Sequence, residues 1–382
     1  MRVAFVTSWP DDPGAPAGGV EAVSVNLVET LAGFDDVDLH VVTTKRSYAS
    51  LRTERWAAAR IHRLPWAGGR TLPHAVGPGR RQMQTYLRKI GPDIVHAHDT
   101  YGLMVKGMAI PRVFTIHGFI YGDTLVSGSR FAKLRSWIWR RIETAGWTDQ
   151  PHIISISPYV RERIGGIVTG MIHDIDNPVS GTFFAIDREG PQETIFCAAA
   201  ITPRKNTLAL IDAIAQLVSR GLEIKLRLAG GLEDSDYVQQ VRDRIERKRL
   251  EDHVSLLGRI DTNQVRRELS TAAVFALTSL EENSPMGIEE AMAAGVPVVT
   301  SNRCGMPYMI LDGQSGFLVD PNDPRDIAWR LGQLLENDGL RRSMGAKGRE
   351  IALDRFHPAK VAARTREVYL RAIHDYDEDG AL

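Results

Sequence analysis

Residues 277–301 read LTSLEENSPMGIEEAMAAGVPVVTS, one strand end, one loop, one helix and the next strand in succession. The apolar run before the loop reads as a buried strand. Ser284 is a good N-cap, Pro285 suits the first helical position, and Gly295 stops the helix before VPVVTS. Strand and helix alternating at this spacing predict a parallel sheet with helices on both faces. Inside the stretch, the loop carboxylate Glu282 falls beside the predicted helix N-terminus, and Glu290 follows eight residues later, about two turns on. Carboxylates accept hydrogen bonds from vicinal hydroxyls, so this pair fits a ligand carrying diols at two places. Gly287 leaves room for a close backbone approach. The plainer alternative makes Glu282 a helix cap and Glu290 a surface residue.

The same alternation continues outward in both directions. The runs VAFVT, VDLHVVT, DIVHAH, RVFTIH, HIISIS, TIFCAAAI, IKLRLAG, HVSLLG, VFALTS and VPVVTS are the apolar, β-branched segments of strands buried on both faces. Between them, Val20, Val23, Leu27 and Leu31, and again Leu208, Ile211, Ala215 and Val218, keep the spacing of one buried helix face. The seam falls near Asn177-Pro178, before the polar stretch DREGPQET. The expected fold is α/β, with one doubly wound domain over residues 1–180 and a second over 181–355. A helix over residues 356–374 is expected to cross back to the first domain, ahead of an acidic, frayed tail at 375–382. Open α/β sheets bind ligands beyond the carboxyl ends of their strands, so the chemistry is expected in a cleft between the two domains.

Composition narrows the partners. The 382 residues are enough for two cores, and the 47 basic residues balance the 47 acidic ones, so no global field draws the chain to nucleic acid. Cys197 and Cys304 lack metal or disulfide spacing, which fits a reducing cytoplasm. No apolar run approaches the roughly 18 to 20 residues needed to cross a bilayer.

Four more stretches carry polar groups to strand ends. In PGAPAGGVEAV, Gly18 and Gly19 precede a helix starting near Val20, an arrangement that can cradle a phosphate or be a bare Gly-Pro loop. In TPRKNTLAL, Arg204 and Lys205 stand at a strand mouth and Asn206 can cap the next helix, a site for a diphosphate. In VHAHD, His96 and His98 share one side of a strand; with no third ligand nearby they read as hydrogen-bonded core groups rather than a metal pair. In TIHGF, His117 ends a strand at the position of a cleft-lining residue. Finally, RFAKLRSWIWRRIE alternates Arg130, Lys133, Arg135, Arg140 and Arg141 with Phe131, Trp137, Ile138 and Trp139. That helix either lies on an anionic bilayer or is an ordinary amphipathic helix with snorkelling arginines.

Taken together these motifs resemble the retaining glycosyltransferases of GT-B architecture, glycosyltransferase family 4, which includes bacterial mannosyl-, glucosyl- and N-acetylglucosaminyltransferases. The resemblance spans nearly the whole chain. Its most specific part is the E-x7-E element from Glu282 to Glu290 followed by AMAAGVPVV; Gly18-Gly19, His117, Lys205 and ILDGQSGFLVD agree in order. The resemblance implies two Rossmann-like domains facing a central cleft and a metal-independent, cytoplasmic hexosyltransferase without a cofactor. Its substrates would be a nucleoside-diphosphate sugar, UDP- or GDP-linked, and a hydroxyl acceptor that is a glycan, a lipid-linked group or a small molecule. It further implies that His117, Lys205 and Glu282 are catalytic, and that Gly18, Gly19, Arg204, Lys205, Asn283, Ser284, Pro285, Met286, Gly287 and Glu290 bind the donor. Ala199-Ala200 replace the family's Gly-Arg, leaving Arg204 to stand in for the absent arginine, and Cys304-Gly305-Met306-Pro307 replace a Gly-Gly loop. The rival functions are a nucleotide-sugar 2-epimerase of the same fold and a non-catalytic nucleotide-sugar-binding protein.

Overall fold

The computed structural model describes residues 1–69, 71–126, 131–188 and 193–380. The chain divides into two units, one of residues 1–120, 137–178 and 358–382, the other of residues 121–136 and 179–357. Each unit carries one sheet.

The first sheet contains β1 (Arg2–Val6), β2 (Asp38–Lys45), β3 (Arg52–Trp56), β4 (Ala59–Pro65), β5 (Ile94–His98), β6 (Arg112–Ile116), β7 (His152–Ser155) and β8 (Met171–Asp174). Their spatial order is β3-β4-β2-β1-β5-β6-β7-β8. Every pairing is parallel except β3 with β4, which is a short antiparallel hairpin at the edge. The apolar runs bury as expected of strands covered on both faces: Val3, Phe5, Val41, Ile94 and Val113 lie in one core with Val28 and Leu31 of the Gly19–Leu31 helix. Val361, Val368 and Tyr369 of the Pro358–Gly380 helix complete that core, and Thr365 is buried beside them.

The second sheet contains β9 (Thr194–Ala198), β10 (Lys225–Ala229), β11 (Val254–Gly258), β12 (Val274–Leu277), β13 (Val298–Ser301) and β14 (Gly316–Val319), all parallel, in the order β11-β10-β9-β12-β13-β14. Both sheets reverse their winding beside their first strand, between β1 and β5 and between β9 and β12. Ligand crevices of doubly wound folds open at such reversal points.

Several details differ from the sequence expectation. The Thr207–Ser219 helix buries Leu210, Ile214 and Leu217 with Ile211, while Leu208, Ala215 and Val218 stay half-buried, so the stripe is rotated from the expected one. The mean apolarity of that helix is high all round, and periodicity alone does not pick its inner face. The acidic segment expected to fray is helical through Gly380. Strands β3, β4, β8 and β14 were not among the apolar runs.

Candidate active site

The loops after β9 and β12 leave adjacent strands at the reversal point of the second sheet, and hydrogen bonds brace them together. The Leu280 N–H donates to the Arg204 carbonyl at 2.8 Å, and the Thr278 hydroxyl donates to the Asn206 carbonyl at 3.3 Å. From the loop after β13, the Gly305 N–H donates to the Glu282 carbonyl at 2.8 Å. A Cβ at Gly305 would sit 1.7 Å from the Asn283 carbonyl oxygen, so only glycine lets these two loops approach. Asn206 and Cys304 hold positive φ of 54° each, in loops that follow β9 and β13. Backbone strain of this kind persists where the surroundings over-determine it, as they do here.

This bracing delivers Arg204, Lys205 and Glu282 to one point. Glu282 Oε1 accepts from Arg204 Nη1 at 2.8 Å and from Lys205 Nζ, while Arg204 Nη1 also donates to the Glu281 carbonyl at 2.7 Å. Asp123 adds a second carboxylate, its Oδ1 lying 3.6 Å from Arg204 Nε. Burial works to raise the pKa of Glu282, but Lys205 and Arg204 outweigh it and hold the carboxyl below its usual range. No charged partner offsets the burial of Glu290. Burial alone pushes it up to about 8, so near neutrality it is largely protonated. Two carboxyl groups eight positions apart therefore sit in opposite charge states.

The helix that carries Glu290 begins one residue later than expected. It spans Met286–Ala293 with Pro285 as its N-cap, and the Ser284 hydroxyl, expected as the cap, instead donates to Glu289 Oε1 at 2.6 Å. Glu289 is fully buried, a role its neighbour Glu290 obscured in the sequence. Gly287 is required for packing, since a Cβ there would lie 2.9 Å from the Phe275 ring and 3.1 Å from the Ala198 carbonyl oxygen. Asn206 does not cap the following helix with its side chain, which donates to the Pro321 carbonyl at 2.7 Å. Asn283 and Met286 are buried.

In the first unit, Gly18 is the extended N-cap of the Gly19–Leu31 helix, and a Cβ at Gly18 would meet nothing within 4 Å. Its N-terminal amides stand at the carboxyl end of β1. His98 ends β5 and His117 follows β6, and their rings meet, His117 Nε2 to His98 Nδ1 at 3.0 Å. The backbone N–H of His117 donates to Asp99 Oδ1 at 3.0 Å. His96 takes the core role expected of it, with Nδ1 2.7 Å from the Tyr369 hydroxyl and Nε2 2.7 Å from the Thr115 hydroxyl. Burial lowers the pKa of all three imidazoles, to about 3 for His96, and nearby His117 lowers the other two further. Among the described residues no group of three His, Cys, Asp or Glu side chains could hold a metal ion, and no helix is long and apolar enough to cross a membrane.

In the second unit, Asp123 and Glu289 are the neighbours of these groups that sequence reasoning passed over. Asp123 is 81 positions from Arg204 in sequence, and only folding brings them together. Arg130 lies outside the described residues. The Ala132–Trp147 helix exposes Leu134, Trp137 and Ile138 at helical spacing, with the Arg141 guanidinium 4.4 Å from the Trp137 ring centroid.

Comparison with known proteins bears on the family and the fold. Residues 17–179 match the model of Glycosyltransferase Family 4, and residues 182–351 match that of Glycosyl transferases group 1. The chain is similar to an uncharacterized glycosyltransferase of Methanocaldococcus jannaschii, 24% identical over 367 residues covering 92% of this chain and 94% of that protein. Its fold is similar to that of sucrose-phosphate synthase from Thermosynechococcus elongatus, with a TM-score of 0.84 at 19% identity over 98% of this chain and 100% of the other. It is also similar to that of Anabaena HepE in complex with UDP and glucose, with a TM-score of 0.73 at 17% identity over 96% and 99% of the two chains. With both halves matched in order and the doubly wound sheets in place, the chain is a glycosyltransferase of the GT-B fold, built from a family-4 domain and a group-1 domain.

Proposed function

We propose that the chain moves a hexosyl or N-acetylhexosaminyl group, with retention of configuration, from a UDP- or GDP-linked sugar to a hydroxyl acceptor. The observation that carries this reading is the convergence of Arg204, Lys205 and Glu282 at the reversal point of the second sheet. The two cations share Glu282 as a partner, and Asp123 stands beside Arg204. An entering diphosphate offers them more charge and more acceptors, so it takes over Lys205 and Arg204 and frees Glu282 to receive hydroxyls of the transferred sugar. Arg204 thereby supplies the charge that Ala200 cannot. Glu290 takes the ribose hydroxyls, and the backbone from Asn283 to Gly287 contacts the sugar and phosphate. Gly18 and Gly19 are assigned to the diphosphate, and His117 to the sugar.

As the glycosidic bond lengthens, the anomeric carbon gains oxocarbenium character and negative charge grows on the leaving phosphate. Lys205, Arg204 and helix-terminal N–H groups stabilise that charge without a metal or cofactor. The acceptor hydroxyl attacks from the face the phosphate leaves, and its proton passes to the departing phosphate oxygen. Bonds and protons then balance without a protein nucleophile.

The test is a thermal-shift screen of UDP-, GDP-, ADP- and dTDP-sugars, because a ligand binding only the folded protein at a hundred times its Kd adds about 2.7 kcal/mol. The stabilising donor should then transfer its sugar to an acceptor. An epimerised product from donor alone would instead establish the epimerase.

The face of the Ala132–Trp147 helix supports a lipid-linked acceptor. Leu134, Trp137 and Ile138 are exposed together, and Lys133, Arg135, Arg140 and Arg141 stand around them, as on helices that lie in an anionic interface. Sedimentation with phosphatidylglycerol vesicles but not with phosphatidylcholine ones is the expected result; equal recovery in both supernatants would refute it.

A further inference from the structure

The first unit contains a hydrogen-bond chain whose protons can be counted. The Ser24 hydroxyl donates to the Val20 carbonyl at 2.7 Å, which uses its one proton. Thr7 Oγ1 lies 2.7 Å from Ser24 Oγ, so the proton in that bond is the one on Thr7. Only lone pairs then remain on Thr7 Oγ1 for His98 Nδ1, 3.2 Å away, and His98 must carry its hydrogen on Nδ1. That same nitrogen faces His117 Nε2 at 3.0 Å, and since it bears a hydrogen it cannot accept one. His117 Nε2 is therefore a lone pair, and the His117 proton sits on Nδ1. One further feature agrees. His98 Nε2 is buried with no hydrogen-bond partner among the described residues, and buried acceptors are left unpaired more readily than buried N–H groups.

We infer that Thr7 and His98 are positioning residues that hold His117 as a neutral imidazole with its Nε2 lone pair turned to His98. In that state Nε2 is occupied and Nδ1 carries the proton, so His117 orients groups in the site rather than removing the acceptor proton. The inference rests on His117 facing the reacting sugar, which the proposed function assigns to it.

The experiment is 15N NMR of histidine-labelled full-length protein, with His117→Asn to assign the ring signals, and turnover measured on the same samples. Wild type should show His117 protonated at Nδ1 and bare at Nε2. Thr7→Val keeps the shape but removes the acceptor that fixes His98. The His117 tautomer ratio should then move by roughly fivefold, the worth of one neutral hydrogen bond. Turnover should fall while the donor KM holds. Thr7→Ser restores the hydroxyl and should restore both readings. A wild-type His117 protonated at Nε2, or a Thr7→Val spectrum identical to wild type, overturns the lock. A tautomer that moves without any change in turnover upholds the lock and removes His117 from the reaction.

Discussion

Glu282 and Glu290 illustrate how position alone divides two identical side chains. Glu282 is ionised because two cations outweigh its burial, whereas Glu290 is raised to about 8 because burial acts alone. If Glu290 receives ribose hydroxyls as a carboxylate, donor binding at pH 7 must release a proton, and affinity must rise as pH climbs toward 8. Calorimetry in buffers of different ionisation enthalpy should detect that proton in wild type and not in Glu290→Gln; no buffer dependence in wild type would contradict the ribose role. Stability carries the same sign. The folded pKa lies above the ordinary 4.5, so the folded state holds a proton that the unfolded chain has lost, and the protein loses stability as pH rises from about 4.5 to about 8. Glu290→Gln should flatten that loss in melts taken at pH 5 and 8. Lys205→Ala should lower kcat/KM by roughly 10²- to 10³-fold, the usual worth of one charge-stabilising donor. At this scale Lys205, Glu282 and Glu290 were legible because each follows a strand in a recognisable motif. Glu289 and Asp123 were not: one is masked by an adjacent glutamate, the other joins Arg204 only through the fold.

The loops after β9, β12 and β13 behave as one braced element, and glycine makes the bracing possible. Gly305→Ala places a Cβ 1.7 Å from the Asn283 carbonyl oxygen, so the backbone carrying Glu282 must shift. We expect donor affinity to fall in Gly305→Ala more than thermal stability does, read by titration and melting of the same variant; unchanged affinity would mean the loops are not coupled. Ser284→Ala leaves the buried Glu289 carboxylate short of a donor and should cost about 1–3 kcal/mol in denaturant unfolding. The ten apolar runs all became strands because burial on both faces demands unbroken apolar sequence. Of the missed ones, β3 reads RTERW and is mostly exposed at the sheet edge, and β8 reads MIHD at the opposite edge; β4 is mostly buried but Arg60, His62 and Arg63 interrupt its apolar run, and β14 is buried but only four residues in a glycine-bounded passage.

For the whole molecule, each half is a doubly wound sheet that brings loops far apart in sequence to one reversal point, and the Pro358–Gly380 helix belongs to the core of the first unit. Tyr369 is fully buried and its hydroxyl is 2.7 Å from His96, so Tyr369→Phe should destabilise the protein by about 1–3 kcal/mol with little effect on donor binding. The β-α-β order was legible because short runs and caps repeat without interruption; the long-range return of the last helix to β5 and β6 leaves only the apolar side of Val361, Thr365 and Val368 as a trace. The central claim is that the cations after β9 and the carboxylates of the β12 loop and its helix bind opposite ends of one activated sugar. Diffraction from crystals soaked with the donor chosen by thermal shift tests it most directly. The diphosphate should lie on Lys205 and Arg204, with the sugar at Glu282 and the ribose at Glu290; density for the donor away from these four side chains would contradict the account.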